Sequence, residues 1–127
     1  MSRNVRMIEL ATRTAHLSDH PRFRLGAVIA KGSRVLSLGT NKEKKSPRST
    51  NPHTNQHGWT IHAELAAILP LSEDNLYGSI IYIARILKSG QWGCSRPCQD
   101  CMRIIQECKI KKIVFIAKNK QIEEVKQ

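Results

Sequence analysis

Apolar and polar positions recur with two different periods along this chain, and each period predicts a type of element. Near the N-terminus, apolar side chains at helical spacing predict an amphipathic helix over residues 3–18, and its apolar stripe consists of Val5, Ile8, Ala11 and Ala15. Residues 25–30 form an apolar run of strand length, Lys31-Gly32-Ser33 is a turn signal, and residues 34–38 form a second strand. We therefore expect these two strands to pair as an antiparallel hairpin.

After one long polar loop, the rest of the chain alternates between helices and strands. The predicted elements are a loop over 41–60, a helix from His62 to Leu69 that ends before Pro70, a strand over 79–84, a helix that begins at Pro97, a strand over 112–117 and a short charged helix over 121–126. The helix that begins at Pro97 should bury a face formed by Cys101, Ile104, Ile105 and Cys108.

This order of elements, α-β-β-α-β-α-β-α, predicts an α/β fold. The strands over 79–84 and 112–117 are almost wholly apolar, as expected of strands that are covered on both faces. Because a helix separates them, they should be parallel members of one sheet. We predict a three-layer α/β/α arrangement in which helices cover both faces of a mixed sheet of about four to five strands. A length of 127 residues suits one domain, residues 1–127.

The charge of the chain adds a class of partner to this picture. Its formal net charge is +11, from 21 lysines and arginines against 10 acidic residues. This excess favours a phosphorylated or polyanionic partner, such as a nucleotide or a nucleic acid. The basic residues are dispersed, however, so charge alone does not choose between a small-molecule nucleotide, RNA, DNA and an acidic membrane surface.

Two further patterns bear on the compartment. The chain has no apolar run of about 18 residues and no signal-peptide pattern at its N-terminus, so we expect no membrane segment and a cytoplasmic location. Four cysteines fit that location as thiols or metal ligands rather than as disulfides.

Two short motifs, far apart in the chain, carry the candidate chemistry. His62-Ala63-Glu64 opens one predicted helix and Pro97-Cys98-Gln99-Asp100-Cys101 opens another. Together they match H-x-E … P-C-x-x-C, the motif of zinc-dependent nucleobase deaminases. One histidine and two cysteines supply three ligands for Zn²⁺ and leave a fourth position for water, which is the arrangement of a catalytic rather than a structural zinc. Glu64 is then free to carry protons.

The positions of these residues at helix starts suit the chemistry. Unpaired amides and the helix dipole make the first turn of a helix electropositive, which stabilises the thiolates of Cys98 and Cys101. Each motif has a plainer explanation when taken alone. A single Cys-x-x-Cys is also found in redox pairs and structural zinc half-sites, and His-x-Glu occurs by chance. The two motifs together, each at the start of a helix, favour a catalytic zinc.

On these residues the chain resembles the cytidine and deoxycytidylate deaminase superfamily, and the resemblance extends from Arg24 to Ala117. It rests on three stretches: the hairpin Leu25-Gly26-Ala27-Val28-Ile29 with Leu38-Gly39-Thr40-Asn41, the helix start His62-Ala63-Glu64-Leu65-Ala66-Ala67-Ile68, and Ser95-Arg96-Pro97-Cys98-Gln99-Asp100-Cys101. The resemblance implies a cytidine-deaminase-like fold and a homo-oligomer. It also implies site roles: zinc binding by His62, Cys98 and Cys101, proton transfer by Glu64, a sugar or base contact by Asn41, and a hydrogen bond from the Ala63 amide to the pyrimidine carbonyl.

The chain departs from the family in two places. Arg96 stands where many relatives carry a small or acidic residue, and its side chain could approach the substrate or point to solvent. Only ten residues follow Ala117, whereas many relatives continue with a further strand and helix, so the sheet could have four strands or the tail could supply a different cap.

Several other residues keep two interpretations each. His53 and His57 resemble a second, structural zinc site, but solvated loop histidines are the simpler interpretation. Cys94 could back up the zinc ligands, but a small buried residue or a free thiol is the simpler interpretation. Trp59 and Trp92 could stack on a base or pack against the wall of the fold.

The predicted function is hydrolytic deamination of a free cytosine deoxynucleotide, of the deoxycytidylate type. Lys42, Lys45 and Arg48 directly follow Asn41 and are the best candidates for binding its phosphate. The main alternative is a polynucleotide deaminase acting on adenosine in tRNA or on cytidine in single-stranded nucleic acid. An aromatic content of only 5% argues against an extended base-stacking track. A zinc-bearing binding module without catalysis is a third hypothesis, against which Glu64 argues.

Overall fold

The structure, a computed structural model, describes residues 2–19, 24–43 and 60–127. Its helices are α1 (Arg3–Ala15), α2 (Ala63–Ile68), α3 (Glu73–Leu76) and α4 (Gln99–Glu107). Its strands are β1 (Arg24–Lys31), β2 (Arg34–Thr40), β3 (Lys42–Glu43), β4 (Thr60–Ile61), β5 (Ile80–Ile86), β6 (Trp92–Gly93), β7 (Lys112–Ile116) and β8 (Ile122–Lys126). Within these residues, no helix is both long and apolar enough to cross a membrane.

The main sheet is mixed, as the sequence predicts. Its strand order is β2-β1-β5-β7-β8, and β6 pairs with the end of β5. β1 pairs antiparallel with β2 and with β5, which confirms the predicted hairpin. β5 and β7 are parallel, with Ile81 opposite Ile113, and this confirms the predicted strand-helix-strand unit.

Helices cover both faces of the sheet, so the three-layer prediction is confirmed. Alternate residues of β5 point to opposite faces, because side chains in a strand have a period of two. Ile81 and Ile83 belong to the cluster that α2 and α4 cover, whereas Tyr82 and Ala84 belong to the cluster under α1. The face that α2 and α4 share is the one that carries both predicted zinc motifs.

The predicted C-terminal helix over 121–126 is wrong, because these residues form β8, antiparallel to β7 at the edge of the sheet. Ile122 and Val125 are three positions apart, a spacing that fits a helix. In the strand this spacing puts Ile122 on the α1 face and Val125 on the opposite face, so both contact apolar clusters. Pairing also satisfies backbone groups of β7 that would otherwise lie at an open edge.

The short β6 places Trp92 on the α1 side of the sheet. Its indole Nε1 donates a hydrogen bond to Oγ1 of Thr12 at 2.9 Å, and its ring packs against the apolar cluster beneath α1. This contact supports wall packing for Trp92 rather than base stacking. Trp59 lies outside the described residues.

The long polar loop is closed at its base by a two-stranded ribbon. β3 pairs antiparallel with β4, so Lys42 lies opposite Ile61 and Glu43 opposite Thr60. Lys42 is therefore held next to the residue that directly precedes His62. The ribbon joins the end of the hairpin to the start of α2, the two places from which the sequence predicts site residues.

Candidate metal centre

His62 is the N-cap residue of α2, where its backbone is extended, with φ −70° and ψ 146°. N-cap side chains usually accept a hydrogen bond from the first turn, and Ser, Thr, Asp and Asn are preferred there for that reason. The imidazole of His62 makes no such bond. Its ring nitrogen Nδ1 is directed instead toward the sulfurs of the second motif.

The second motif repeats this arrangement at α4. Cys98 is the N-cap residue, with φ −67° and ψ 167°, and its thiol makes no cap hydrogen bond. The predicted start of this helix at Pro97 is therefore two residues early, since α4 begins at Gln99. Cys101 lies in the first turn and is only 2% exposed. The Cys-x-x-Cys spacing thus puts one sulfur at the N-cap and the other in the first turn, on the same side of the helix.

The three predicted ligands converge, and their donor atoms lie within 4.8 Å of one another. Nδ1 of His62 is 3.2 Å from Sγ of Cys101 and 3.9 Å from Sγ of Cys98. A tetrahedral zinc ion with usual bond lengths separates a nitrogen from a sulfur ligand by about 3.5 Å. The two observed distances lie on either side of that value, so the donor set fits a zinc ion.

Protonation of Cys101 is coupled to metal binding. Burial, and then the negative charges of Glu64 and Cys98, raise the pKa of the Cys101 thiol far above its ordinary value. A thiol in this environment keeps its proton until a cation replaces it. Zinc binding here should therefore release a proton and become weaker as the pH falls.

Glu64 lies in the first turn of α2 and is 5% exposed. Burial raises the pKa of its carboxyl group, and a hydrogen bond from its own backbone amide, the charge of His62 and a hydrogen bond with Cys101 oppose that shift. A carboxyl group that holds a proton more readily than an exposed glutamate, next to a set of metal ligands, is suited to general acid–base work.

The hairpin reaches the site through a close backbone approach that the sequence pattern did not reveal. A Cβ atom added to Gly39 of β2 would lie 2.4 Å from the amide nitrogen of Ala67 and 2.5 Å from the carbonyl oxygen of Ala63. Only glycine lets β2 and α2 pack this closely. The available signal was a glycine inside a strand, which often marks close approach of another backbone.

Asn41, the predicted substrate contact, is 3% exposed at the end of β2. Its Oδ1 accepts a hydrogen bond from the amide of Leu25 at 2.9 Å, and its carbonyl oxygen accepts one from the Ser18 hydroxyl at 2.8 Å. These bonds hold Asn41 in place at the junction of hairpin and loop. Ala63 is the first residue of α2, where an amide has no partner within the helix.

Of the three residues predicted to bind the phosphate, the structure describes only Lys42. Lys42 is exposed, whereas Lys45 and Arg48 lie outside the described residues, together with His53 and His57. Cys94 is half-buried and does not belong to the cluster of donor atoms found among the described residues.

Arg96 is an exposed cation on the segment that leads into Cys98. Its guanidinium carbon lies 5.7 Å from the centroid of the Phe115 ring. Phe115 belongs to the cluster on the α2–α4 face, so the stacking keeps Arg96 on the side of the sheet that carries the candidate metal centre. Within the described part of the chain, Arg96 forms no salt bridge.

Known proteins similar to this chain are deaminases with a zinc-binding region. The family model of the cytidine and deoxycytidylate deaminase zinc-binding region matches residues 1–117. A deoxycytidylate deaminase of Mycobacterium phage D29 is 28% identical over 122 residues, which cover 84% of this chain and 88% of the phage protein. A probable deoxycytidylate deaminase of Caenorhabditis elegans is 23% identical over 91% of this chain, which spans only 58% of the length of the worm protein.

Among solved structures, the dCMP deaminase of cyanophage S-TIM5 in its apo form superposes with a TM-score of 0.63 at 25% identity, over 89% of this chain and 82% of the phage chain. The same phage protein has also been solved in complex with dCMP and dUMP. The match of the family model covers nearly the whole chain and includes all three convergent donors and Glu64. The chain therefore belongs to the cytidine and deoxycytidylate deaminase zinc-binding family, whose reaction is the hydrolysis of a C–N bond in a cyclic amidine.

Proposed function

We propose that this protein converts a cytosine deoxynucleotide such as dCMP to the uracil nucleotide and ammonia. The observation that carries the proposal is the convergence of His62, Cys98 and Cys101 beside the buried carboxyl group of Glu64. In this proposal the histidine and the two cysteines hold zinc, which lowers the pKa of a bound water to about 7 and so supplies a nucleophile at neutral pH.

The residues of the chain would then do three things. Glu64 would take one proton from the attacking water and deliver it to the ring nitrogen, and it would then carry the second proton of that water to the amino group, which leaves as ammonia. The Ala63 amide, at a helix start with no intrahelical partner, would donate a hydrogen bond to the pyrimidine carbonyl. Asn41, held by its bond to Leu25, would contact the sugar or the base.

A phosphorylated substrate is supported by two cations that adjoin the segments carrying His62 and Cys98. Lys42 is exposed and lies opposite Ile61, next to His62 in the chain. Arg96 is exposed two positions before Cys98, and the described residues offer it no acidic partner within salt-bridge distance. These two positive charges, one beside the His62 segment and one just before Cys98, would favour binding of a nucleotide over an uncharged nucleoside. Lys45 and Arg48 remain predicted contributors.

The rival is deamination within a polynucleotide, which the net charge of +11 favours. An aromatic content of 5% offers few rings on which successive bases could stack. A binding module without catalysis is disfavoured by Glu64, because metal binding alone gives no reason to bury a carboxyl group beside the ligands.

The test is ammonia release over a panel of dCMP, CMP, deoxycytidine, adenosine nucleotides and a single-stranded oligonucleotide. We expect turnover of dCMP, and a higher KM for dCMP in the Lys42→Ala variant with little change for deoxycytidine. Fluorescence anisotropy with a labelled single strand at two salt concentrations accompanies the assay. Tight oligonucleotide binding that falls steeply with salt, without turnover of any free nucleotide, would refute the proposal and support the rival.

We expect the reaction to take place in the cytoplasm, where thiol ligands stay reduced. The homo-oligomer implied by the family resemblance stays a prediction, to be measured by light scattering of the purified protein.

A further inference from the structure

We propose that Ser95 is a positioning residue that sets the affinity of the metal centre by anchoring the Cys98 segment to the central sheet. The inference rests on the proposed zinc site but concerns a residue that is not one of the proposed metal ligands. It follows from the hydrogen bonds of one buried side chain at the place where β5 and β7 stop pairing.

Ser95 is 1% exposed and makes three hydrogen bonds to the two parallel strands. Its hydroxyl donates to the carbonyl oxygen of Ile83 at 2.7 Å and accepts from the amide of Ile116 at 2.8 Å. Its own amide donates to the carbonyl oxygen of Ile116 at 2.8 Å. The last register pair between the strands is Ile83 with Phe115, so Ser95 bridges them one residue beyond the point where direct pairing ends.

This bridge determines where the segment leading to α4 leaves the sheet. Only Arg96 and Pro97 separate Ser95 from Cys98, and the ring of Pro97 restricts one of the backbone angles between them. His62 reaches the site from a different element, α2, which is positioned on the same face through Gly39. The central sheet therefore positions both His62 and the two cysteines, and Ser95 links the cysteine segment to that sheet.

Loss of the hydroxyl would leave two buried backbone groups without a partner, the Ile83 carbonyl and the Ile116 amide, because both residues are fully buried. The segment can relieve this by moving away from the strands or by admitting water, and either response shifts Cys98 relative to His62. Removing a group that is hydrogen-bonded to a metal ligand typically weakens metal binding by about 10–100-fold. Ser95 acts one step farther from the ligands, through the backbone of the Cys98 segment, so we expect about the lower end of that range for Ser95→Ala.

The chain offers a matched control in Ser79. It is also fully buried, and its hydroxyl donates to the carbonyl oxygen of Leu76 at 2.7 Å. Ser79 precedes β5, at the end of that strand away from Ser95. Ser79→Ala should lower stability, as the loss of a buried hydrogen bond does, without altering the geometry of the donor atoms.

The experiment measures the zinc dissociation constant of the folded full-length chain by chelator competition, together with the absorption spectrum of the Co²⁺-substituted protein. We expect Ser95→Ala to raise the dissociation constant about tenfold and to alter the spectrum. Ser95→Thr should retain much of the original affinity, and Ser79→Ala should leave the dissociation constant and the spectrum unchanged. Pro97→Ala, which loosens the link but keeps the hydrogen bonds of Ser95, should also weaken binding. It replaces Ser95→Ala in the comparison if that variant does not fold.

Equal zinc affinities and spectra in Ser95→Ala, Ser79→Ala and the unaltered chain would overturn the assignment while leaving the deaminase proposal intact. Equal affinities in Pro97→Ala and the unaltered chain would do the same when Ser95→Ala is unfolded. An unaltered chain that binds no zinc would overturn the proposed function and, with it, the role of Ser95.

Discussion

Gly39→Ala is the substitution that best tests whether β2 positions the metal centre, because the added methyl group should displace α2. In Gly39→Ala the new Cβ would start 2.4 Å from the Ala67 amide nitrogen, whereas real contacts of this kind are almost never shorter than 3.0 Å. The helix α2 must therefore retreat by at least about 0.6 Å, because the obstructing atoms are backbone and cannot rotate away. Overpacking of this kind costs about 1–3 kcal/mol.

The displacement matters because α2 carries His62 and Glu64. Nδ1 of His62 is 3.9 Å from the Cys98 sulfur, already slightly farther than a tetrahedral zinc requires. A shift of α2 that lengthens this distance would weaken the coordination of zinc. A misplacement of about 1 Å costs roughly 100-fold in turnover. We expect Gly39→Ala to lower kcat/KM by about that factor and to weaken zinc binding.

Gly26→Ala is the matched control. Its added Cβ would lie 2.1 Å from the carbonyl oxygen of Ala11, so it clashes at least as severely, but with α1 on the opposite face of the sheet. Urea unfolding, zinc content and dCMP turnover per folded molecule should be measured on both variants. Gly26→Ala should lose stability but keep its zinc, because α1 carries none of the proposed ligands. Similar losses of zinc in both variants, or full turnover in Gly39→Ala, would refute the view that β2 positions the site through α2.

Three further predictions concern the site residues themselves. Cys98→Ala and Cys101→Ala should each lose zinc by elemental analysis and unfold at lower temperature, because metal binding is coupled to folding; full occupancy in both would remove the assignment. Glu64→Ala should keep its zinc while kcat falls by at least about 10²–10⁴-fold, and a variant with a tenth of the original kcat would mean that another residue carries the protons. Arg96→Gln should raise KM for dCMP about two- to fivefold more than for deoxycytidine, the range expected for an exposed charge. Arg103→Gln, which removes an exposed arginine 3.6 Å from Asp100, should change neither KM, and equal shifts for both substrates in Arg96→Gln would contradict the phosphate contact.

Local patterns in the sequence were enough to predict most of the elements and the donor set. The apolar strands β5 and β7 and the amphipathic α1 follow from periods of two and about 3.6 residues, which depend only on neighbours in the chain. The pairing of Cys98 with Cys101 followed from their spacing, since a Cys-x-x-Cys at a helix start puts both sulfurs on one side. His62 was added by the match to the H-x-E … P-C-x-x-C motif. Helix ends were less certain, and α4 begins two residues after the predicted start because Cys98 takes the N-cap position.

What the tertiary structure decided depends on contacts between elements that are distant in the chain. The tail became β8 because β7 offered an open edge and both faces of the sheet could bury Ile122 and Val125, and no local pattern reports such an edge. The need for glycine at position 39 and the bridge made by Ser95 arise from backbone atoms of other elements at 2.4–2.8 Å. A sequence specifies which face each residue takes within its own element, but the distances between elements are set by register and packing across the whole sheet, and it is those distances that bring a histidine and two cysteines to one point.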